Sequence, residues 1–229
     1  MKLLVTNDDG IDALGLAALA EIAAGHGTVT CVAPHTHLSG CGHRVTTDGP
    51  IRLKRKMEHR WAIEGTPADC VRVALAKLAP ETMWVLSGMN HGGNLGADVY
   101  ISGTVAAVRE AALHGLPAIA FSHYRKRGVE IDWDRARRWM ALMLPDLLAD
   151  PGPPGSFWNV NFPSLLPDEP EPCVVHCPLE SGPLPLSFRE ADEGLHYDGN
   201  YHARPRVSGS DVDVCFAGNI AVTRLTIAT

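Results

Sequence analysis

The chain has 229 residues, 45% of them apolar and 20% charged, which fits one globular domain and excludes wholesale disorder, collagen-like repetition and coiled coil. Its 20 Lys and Arg against 26 Asp and Glu leave a formal charge of −6, so no global positive field gathers phosphates and duplex nucleic acid is not an expected partner. Six dispersed cysteines and an amino-terminal apolar run of only Leu3 to Thr6 imply reduced thiols, no membrane association and a cytoplasmic setting.

In chain order, Lys2 to Thr6 is an apolar run without alternation, the pattern of a strand buried on both faces, and Asn7-Asp8-Asp9-Gly10 ends it in a turn. A helix is predicted over Leu14 to Ala24 with Gly25 and Gly27 as stops, then a strand over Thr28 to Ala33. This β-α-β unit implies a right-handed crossover and a parallel sheet, whose carboxyl edge is where open α/β folds place ligands. Thr66-Pro67-Ala68-Asp69 reads as an N-cap, a proline at the first helical position and a first-turn acid, opening a helix through Leu78. Further elements follow as a strand over Met83 to Leu86, a helix over Thr104 to His114 closed by Gly115, and a strand over Ala118 to Phe121. Trp133 to Leu148 reads as an amphipathic helix that Pro145 bends, with Arg135, Arg137 and Arg138 on its solvated side. The first 150 residues are thus doubly wound α/β.

Ten of the 17 prolines lie between Pro151 and Pro185, broken by strand-like Phe157 to Phe162 and Cys173 to His176. The expectation is a single domain over 1–229, from which 163–210 projects as an irregular or β-hairpin arm, with Asn219 to Ile227 returning as the last strand.

Asp8 and Asp9 share the tip of the first strand, where adjacent carboxylates repel unless a proton or a cation lies between them; a divalent cation is the natural partner. Alone, Asp-Asp-Gly is an ordinary polar turn. The second strand runs into a loop bearing Ser39 and Gly40, and the strand at Met83 runs into Ser87-Gly88-Met89-Asn90. In a parallel sheet these tips share one edge, so Asp8, Asp9, Ser39 and Asn90 converge. Ser102-Gly103-Thr104 feeds a helix whose N-terminal amides face the same edge and suit a phosphate.

Asn7-Asp8-Asp9-Gly10, Ser39-Gly40, Gly65-Thr66-Pro67-Ala68-Asp69-Cys70, Ser87-Gly88-Met89-Asn90 with Asn94-Leu95-Gly96, and Ser102-Gly103-Thr104-Val105 resemble the SurE family of stationary-phase survival nucleotidases. Order and spacing agree over about the first 125 residues, and five ordered motifs are specific where one is not. The resemblance implies a Rossmann-like three-layer α/β/α fold and a metal-dependent phosphomonoesterase acting on nucleoside monophosphates, assembled as a homodimer or homotetramer. By position it makes Asp8, Asp9, Ser39 and Asn90 metal ligands, and places Ser39, Gly40, Asn94, Ser102, Gly103 and Thr104 near the phosphate. Four oxygen donors suit one Mg²⁺ or Mn²⁺ ion better than Zn²⁺.

Two departures accompany the match. Leu38 stands where the family often has a basic residue before Ser-Gly, and Ala221-Val222-Thr223-Arg224-Leu225 follows the family's Ser-x-Thr-Pro-Leu only loosely. Of the loop histidines His35, His37, His43 and His91, His43 is the chosen proton donor to a leaving alkoxide. Cys173, His176 and Cys177 lack a second ligand pair at zinc spacing and read as structural. Two rival readings remain beside the nucleotidase. An aspartyl-phosphate phosphatase wants acids at i and i+2 rather than adjacent, and a non-catalytic nucleotide-binding module lacks its Gly-x-Gly-x-x-Gly here.

Overall fold

The computed structural model describes residues 1–227. Strand β1 (Lys2–Thr6) alternates its side chains between two cores, Leu3 and Val5 facing one and Leu4 the other, which is why its sequence is apolar without a period. Helix α1 (Leu14–Ala24) leads to β2 (Thr28–Pro34), parallel to β1 with Val5 opposite Cys31. A β3 (Leu53–Met57) and β4 (Arg60–Ile63) hairpin follows, absent from the sequence expectations. Every residue of β3 is exposed and Lys54-Arg55-Lys56 shows no apolar alternation, so this edge strand carries no readable pattern.

Helix α2 (Pro67–Val73) opens with the anticipated cap: Thr66 and Asp69 form a reciprocal capping box, and a π-helical turn over Ala74–Leu78 continues it. Strand β5 (Trp84–Asn90) is longer than predicted. Ser87-Gly88-Met89-Asn90 belongs to the strand, not to the loop after it, because the register against the neighbouring strand shifts between Ser87 and Asn90. Gly88 makes that irregularity feasible: its φ is 134°, and a Cβ there would sit 2.2 Å from the carbonyl oxygen of Phe121.

A short α3 (Asp98–Ile101) precedes α4 (Gly103–Leu113), whose N-cap Ser102 accepts from the Val105 N–H. Strand β6 (Ala118–His123) runs parallel to β5, and α5 (Trp133–Ala149) is continuous through Pro145. The expectation that Arg135 is solvated is overturned. Arg135 is 5% exposed and donates to the carbonyls of Leu166, Glu169 and Pro170 and to Glu171, all in a segment remote in sequence that wraps over α5.

Strand β7 (Ser156–Phe162) lies parallel to β6, and the returning β11 (Ile220–Thr226) is antiparallel to β7. Within 163–210, β8 (Val174–His176) joins the main sheet beside β11, while β9 (Phe188–Ala191) and β10 (Gly194–Tyr197) form a separate two-stranded hairpin. Helix α6 (Asp211–Phe216), also unforeseen, caps on Ser210. The nine-stranded sheet has the order β3-β4-β2-β1-β5-β6-β7-β11-β8. On one face pack α1 and α5 through Leu16, Leu19, Met140 and Leu144; on the other, α2 and α4 through Val71, Val105 and Val108. This is the expected Rossmann-like three-layer α/β/α fold with a mostly parallel sheet and a hairpin arm. All six cysteines are free, and no helix among the described residues is long and apolar enough to cross a membrane.

Candidate active site

The carboxyl ends of β1, β2 and β5 and the start of α4 meet at one place. Asn7 closes the first turn, donating from Nδ2 to the Gly10 carbonyl and accepting from the Gly10 N–H, which turns Asp8 and Asp9 to opposite neighbours. The β2 loop is tied in by the Leu38 N–H donating to the Asp8 carbonyl at 2.8 Å. From the β5 side the His91 N–H donates to Asp9 Oδ2 at 3.0 Å. The Thr104 hydroxyl of α4 donates to Asp8 Oδ1. Four segments spread over nearly a hundred residues are thus joined by hydrogen bonds through the acid pair.

Gly103 shows how tightly α4 is seated. A Cβ there would stand 2.8 Å from Asp8 Cβ and 2.9 Å from Asp8 Oδ2, so only glycine lets the helix start against the carboxylate. Asp8 is 3% exposed and has no ion pair among the described residues. Burial pushes its carboxyl above the usual range; the Thr104 bond pulls it down, and the charge of Asp9 pushes it up again. Asp9 is more open and lies 3.1 Å from Nδ1 of the exposed His37. A buried acid beside a second acid, hydrogen-bonded to a neutral hydroxyl and with only the exposed His37 nearby among the described residues, has the chemistry of a cation site.

The remaining donors fit such an ion by chemistry. Asn90, the last residue of β5, donates from Nδ2 to the Gly92 carbonyl, so its oxygen is the end without a hydrogen bond among the described residues. Ser39 is exposed on the β2 loop, next to the Leu38 that touches Asp8. Asp8, Asp9, Asn90 and Ser39 would therefore offer oxygen alone, the donor set of a hard divalent cation.

The other expected site residues are placed as follows by their hydrogen bonds. The Ser102 hydroxyl accepts the cap bond of α4 and keeps its own proton, whereas the Thr104 hydroxyl proton is directed to Asp8. Asn94 is turned into the sheet: its N–H donates to Asn161 at 2.8 Å, its Nδ2 to Ser122 at 2.7 Å, and its carbonyl accepts from Asn159 and Asn161. It shapes the loop from beneath. Gly40 lies exposed on the β2 loop.

His43 does not join the acid pair. Its Nε2 is 2.7 Å from Glu110, seven residues along α4 and so about 10 Å from the helix start. Burial alone would raise Glu110, but bonds from His43 and His114 hold its carboxyl below the usual range. The histidine whose ring lies against the acids is His37. Its proximity was unreadable because it depends on how the β2 loop folds back over β1. Cys173 is exposed, and no cluster of three or more His, Cys, Asp or Glu able to hold a metal occurs among the described residues.

The family model described as survival protein SurE matches residues 3–178. A relative from Nostoc sp. is 52% identical, covering 99% of this chain and 100% of its own length. The 5′-nucleotidase SurE of Allorhizobium ampelinum is 43% identical over 99% of this chain and 92% of its own. Among solved structures, the SurE protein from Aquifex aeolicus superposes with a TM-score of 0.87 at 27% identity, covering 100% of this chain and 94% of that one.

Proposed function

This chain belongs to the SurE family, and on that premise we propose that it is a metal-dependent phosphomonoesterase releasing inorganic phosphate from nucleoside 5′-monophosphates, with 3′-monophosphates as further substrates. The observation that carries the reading is the buried Asp8 beside Asp9, unpaired among the described residues by any basic side chain except the exposed His37 and flanked by the N-terminus of α4. Asp8, Asp9, Asn90 and Ser39 would hold one Mg²⁺ or Mn²⁺ ion. Such an ion would supply positive charge to the phosphoryl oxygens and would acidify a bound water.

The protein's own groups divide the remaining work. Thr104 fixes the rotamer of Asp8, and the His91 N–H fixes Asp9, so both carboxylates are in place before substrate arrives. Asp9, the more open of the two, accepts a proton from the attacking water. The unpaired amides at the start of α4 hold phosphoryl oxygens as negative charge spreads in the transition state. His37 stands against Asp9, where it can protonate the leaving alkoxide. The hairpin of the arm leaves Leu186, Phe188 and Leu195 exposed, and we assign this surface to a second copy of the chain in a homodimer or homotetramer.

The test is phosphate release from a panel of nucleoside monophosphates with and without Mg²⁺ and Mn²⁺. We expect release that depends on the ion, and a loss of about a hundredfold or more in Asp9→Asn. Wild-type turnover in that variant would sink the assignment.

A further inference from the structure

The segment after β6 carries three consecutive exposed cations, Arg125, Lys126 and Arg127, in a chain whose formal charge is −6. None of the three forms an ion pair among the described residues. Arg125 Nη1 lies 3.3 Å from His91 Nδ1, and the His91 N–H is the group bound to Asp9. A single residue therefore links this cationic tip to the acid pair. In the sheet β6 is two strands from β1, which puts the two tips about 10 Å apart along the carboxyl edge.

Behind the cations lies a cleft of 280 Å³ lined by Tyr124, Lys126, Arg127, His202, Arg206 and Phe216. Its wall is aromatic and fixed: Tyr124 and Phe216 stack at 4.6 Å, and the Tyr124 hydroxyl is 2.6 Å from His202 Nδ1. The Lys126 N–H donates to the Ser164 hydroxyl, which anchors the tip itself. Arg206 lies 5.4 Å over Phe216, but its guanidinium already pairs with Asp213 at 3.0 Å. Lys126 and Arg127 are thus the uncompensated charges, their stems alongside an apolar wall and their heads free. Nothing in the proposed hydrolysis uses them.

We propose that this cleft is a second anion subsite of the same active centre, taking the further phosphate of a nucleoside bisphosphate whose scissile phosphate lies at Asp8 and Asp9. The inference rests on the nucleotidase reading and names its substrate class. A ribose phosphorylated at two hydroxyls holds the groups well apart, and the long side chains of Lys126 and Arg127 cover the rest of the gap. The phosphates of a diphosphate share a bridging oxygen and are too close together to serve both places.

The experiment uses the full chain and the double variant Lys126→Ala, Arg127→Ala, both positions being exposed. Binding of adenosine 3′,5′-bisphosphate and of AMP is measured by calorimetry with Ca²⁺ in place of Mn²⁺, and inorganic phosphate is assayed after each titration to check that binding is read apart from turnover. We expect the wild type to favour the bisphosphate about tenfold, and the variant to lose that preference. In Mn²⁺-supported turnover, the variant should raise KM for the bisphosphate about tenfold, leaving kcat and the AMP KM within about twofold. Equal binding of the two nucleotides by the wild type, or a variant that weakens both alike, overturns the subsite. Absence of phosphate release from either nucleotide defeats the nucleotidase reading instead, and the calorimetric preference then decides the cleft separately.

Discussion

At the residue scale, Gly103 is the sharpest test of how the acid pair is held. The missing side chain lets α4 begin against Asp8, and a methyl group placed 2.8 Å from Asp8 Cβ has no room. Gly103→Ala should cost about 1–3 kcal/mol through overpacking, measured by urea denaturation, and should lower turnover far more than this stability loss explains. Unchanged activity in a folded variant would mean that the helix start does not set the carboxylate. The two acids themselves were legible in the sequence as adjacent charges at a strand tip, but only together with the polar residues at the tips of β2 and β5, since Asp-Asp-Gly alone is an ordinary turn. The partner of Asp8 was not: Thr104 lies 96 residues away, and nothing local distinguishes a hydroxyl that caps a helix from one that steadies a carboxylate. Arg135 failed for a similar reason, because Arg-x-Arg-Arg looks like a solvated face until the segment at 166–171 covers it.

At the element scale, α2 is fastened at its start by Asp69. The carboxylate accepts from the Thr66 N–H at 2.9 Å and from the N–H and hydroxyl of Thr46 at 2.8 and 2.7 Å, joining a cap to a loop 23 residues earlier. Burial alone would raise its carboxyl; the bonds from Thr46 and Thr66 outweigh that and hold it below the ordinary carboxylate range. A depressed folded-state pKa stabilises the protein above the unfolded-state value near 4 and loses that contribution as pH falls through the folded value. Asp69→Asn should therefore destabilise by about 1–3 kcal/mol at pH 7 and by progressively less as the solution is acidified below about pH 4. Denaturant melts of both proteins across that range check it, and parallel pH curves would refute the linkage. This cap was readable as Thr-Pro-Ala-Asp, whereas β5 was cut short at Leu86 because Ser-Gly-Met-Asn has loop composition. Tertiary pairing with β6 keeps it in the sheet. The short α6 and the polar β3 escaped for want of any periodic apolar signal.

For the whole molecule, the alternation of strands and helices through residue 150 was plain from runs buried on both faces, and the fold follows from them. Proline density foretold an irregular stretch after Pro151 but could not say that β8 would rejoin the main sheet. The hairpin beyond it leaves Leu186 90% and Leu195 69% exposed, more apolar surface than an isolated chain benefits from showing. Replacing both with Glu should lower the mass observed by light scattering to that of one chain, without changing far-ultraviolet dichroism. An unaltered mass would exclude the hairpin as the contact between copies, and a wild-type mass of one chain would overturn the proposed assembly.

The lysine-rich edge of the sheet has a different significance. β3 presents Lys54, Arg55 and Lys56 at one of the two rims of the nine-stranded sheet, where a ladder of N–H and C=O groups is free to recruit another polypeptide. Its like charges repel any similar strand that approaches, so the sheet can end there without inviting fibrous growth.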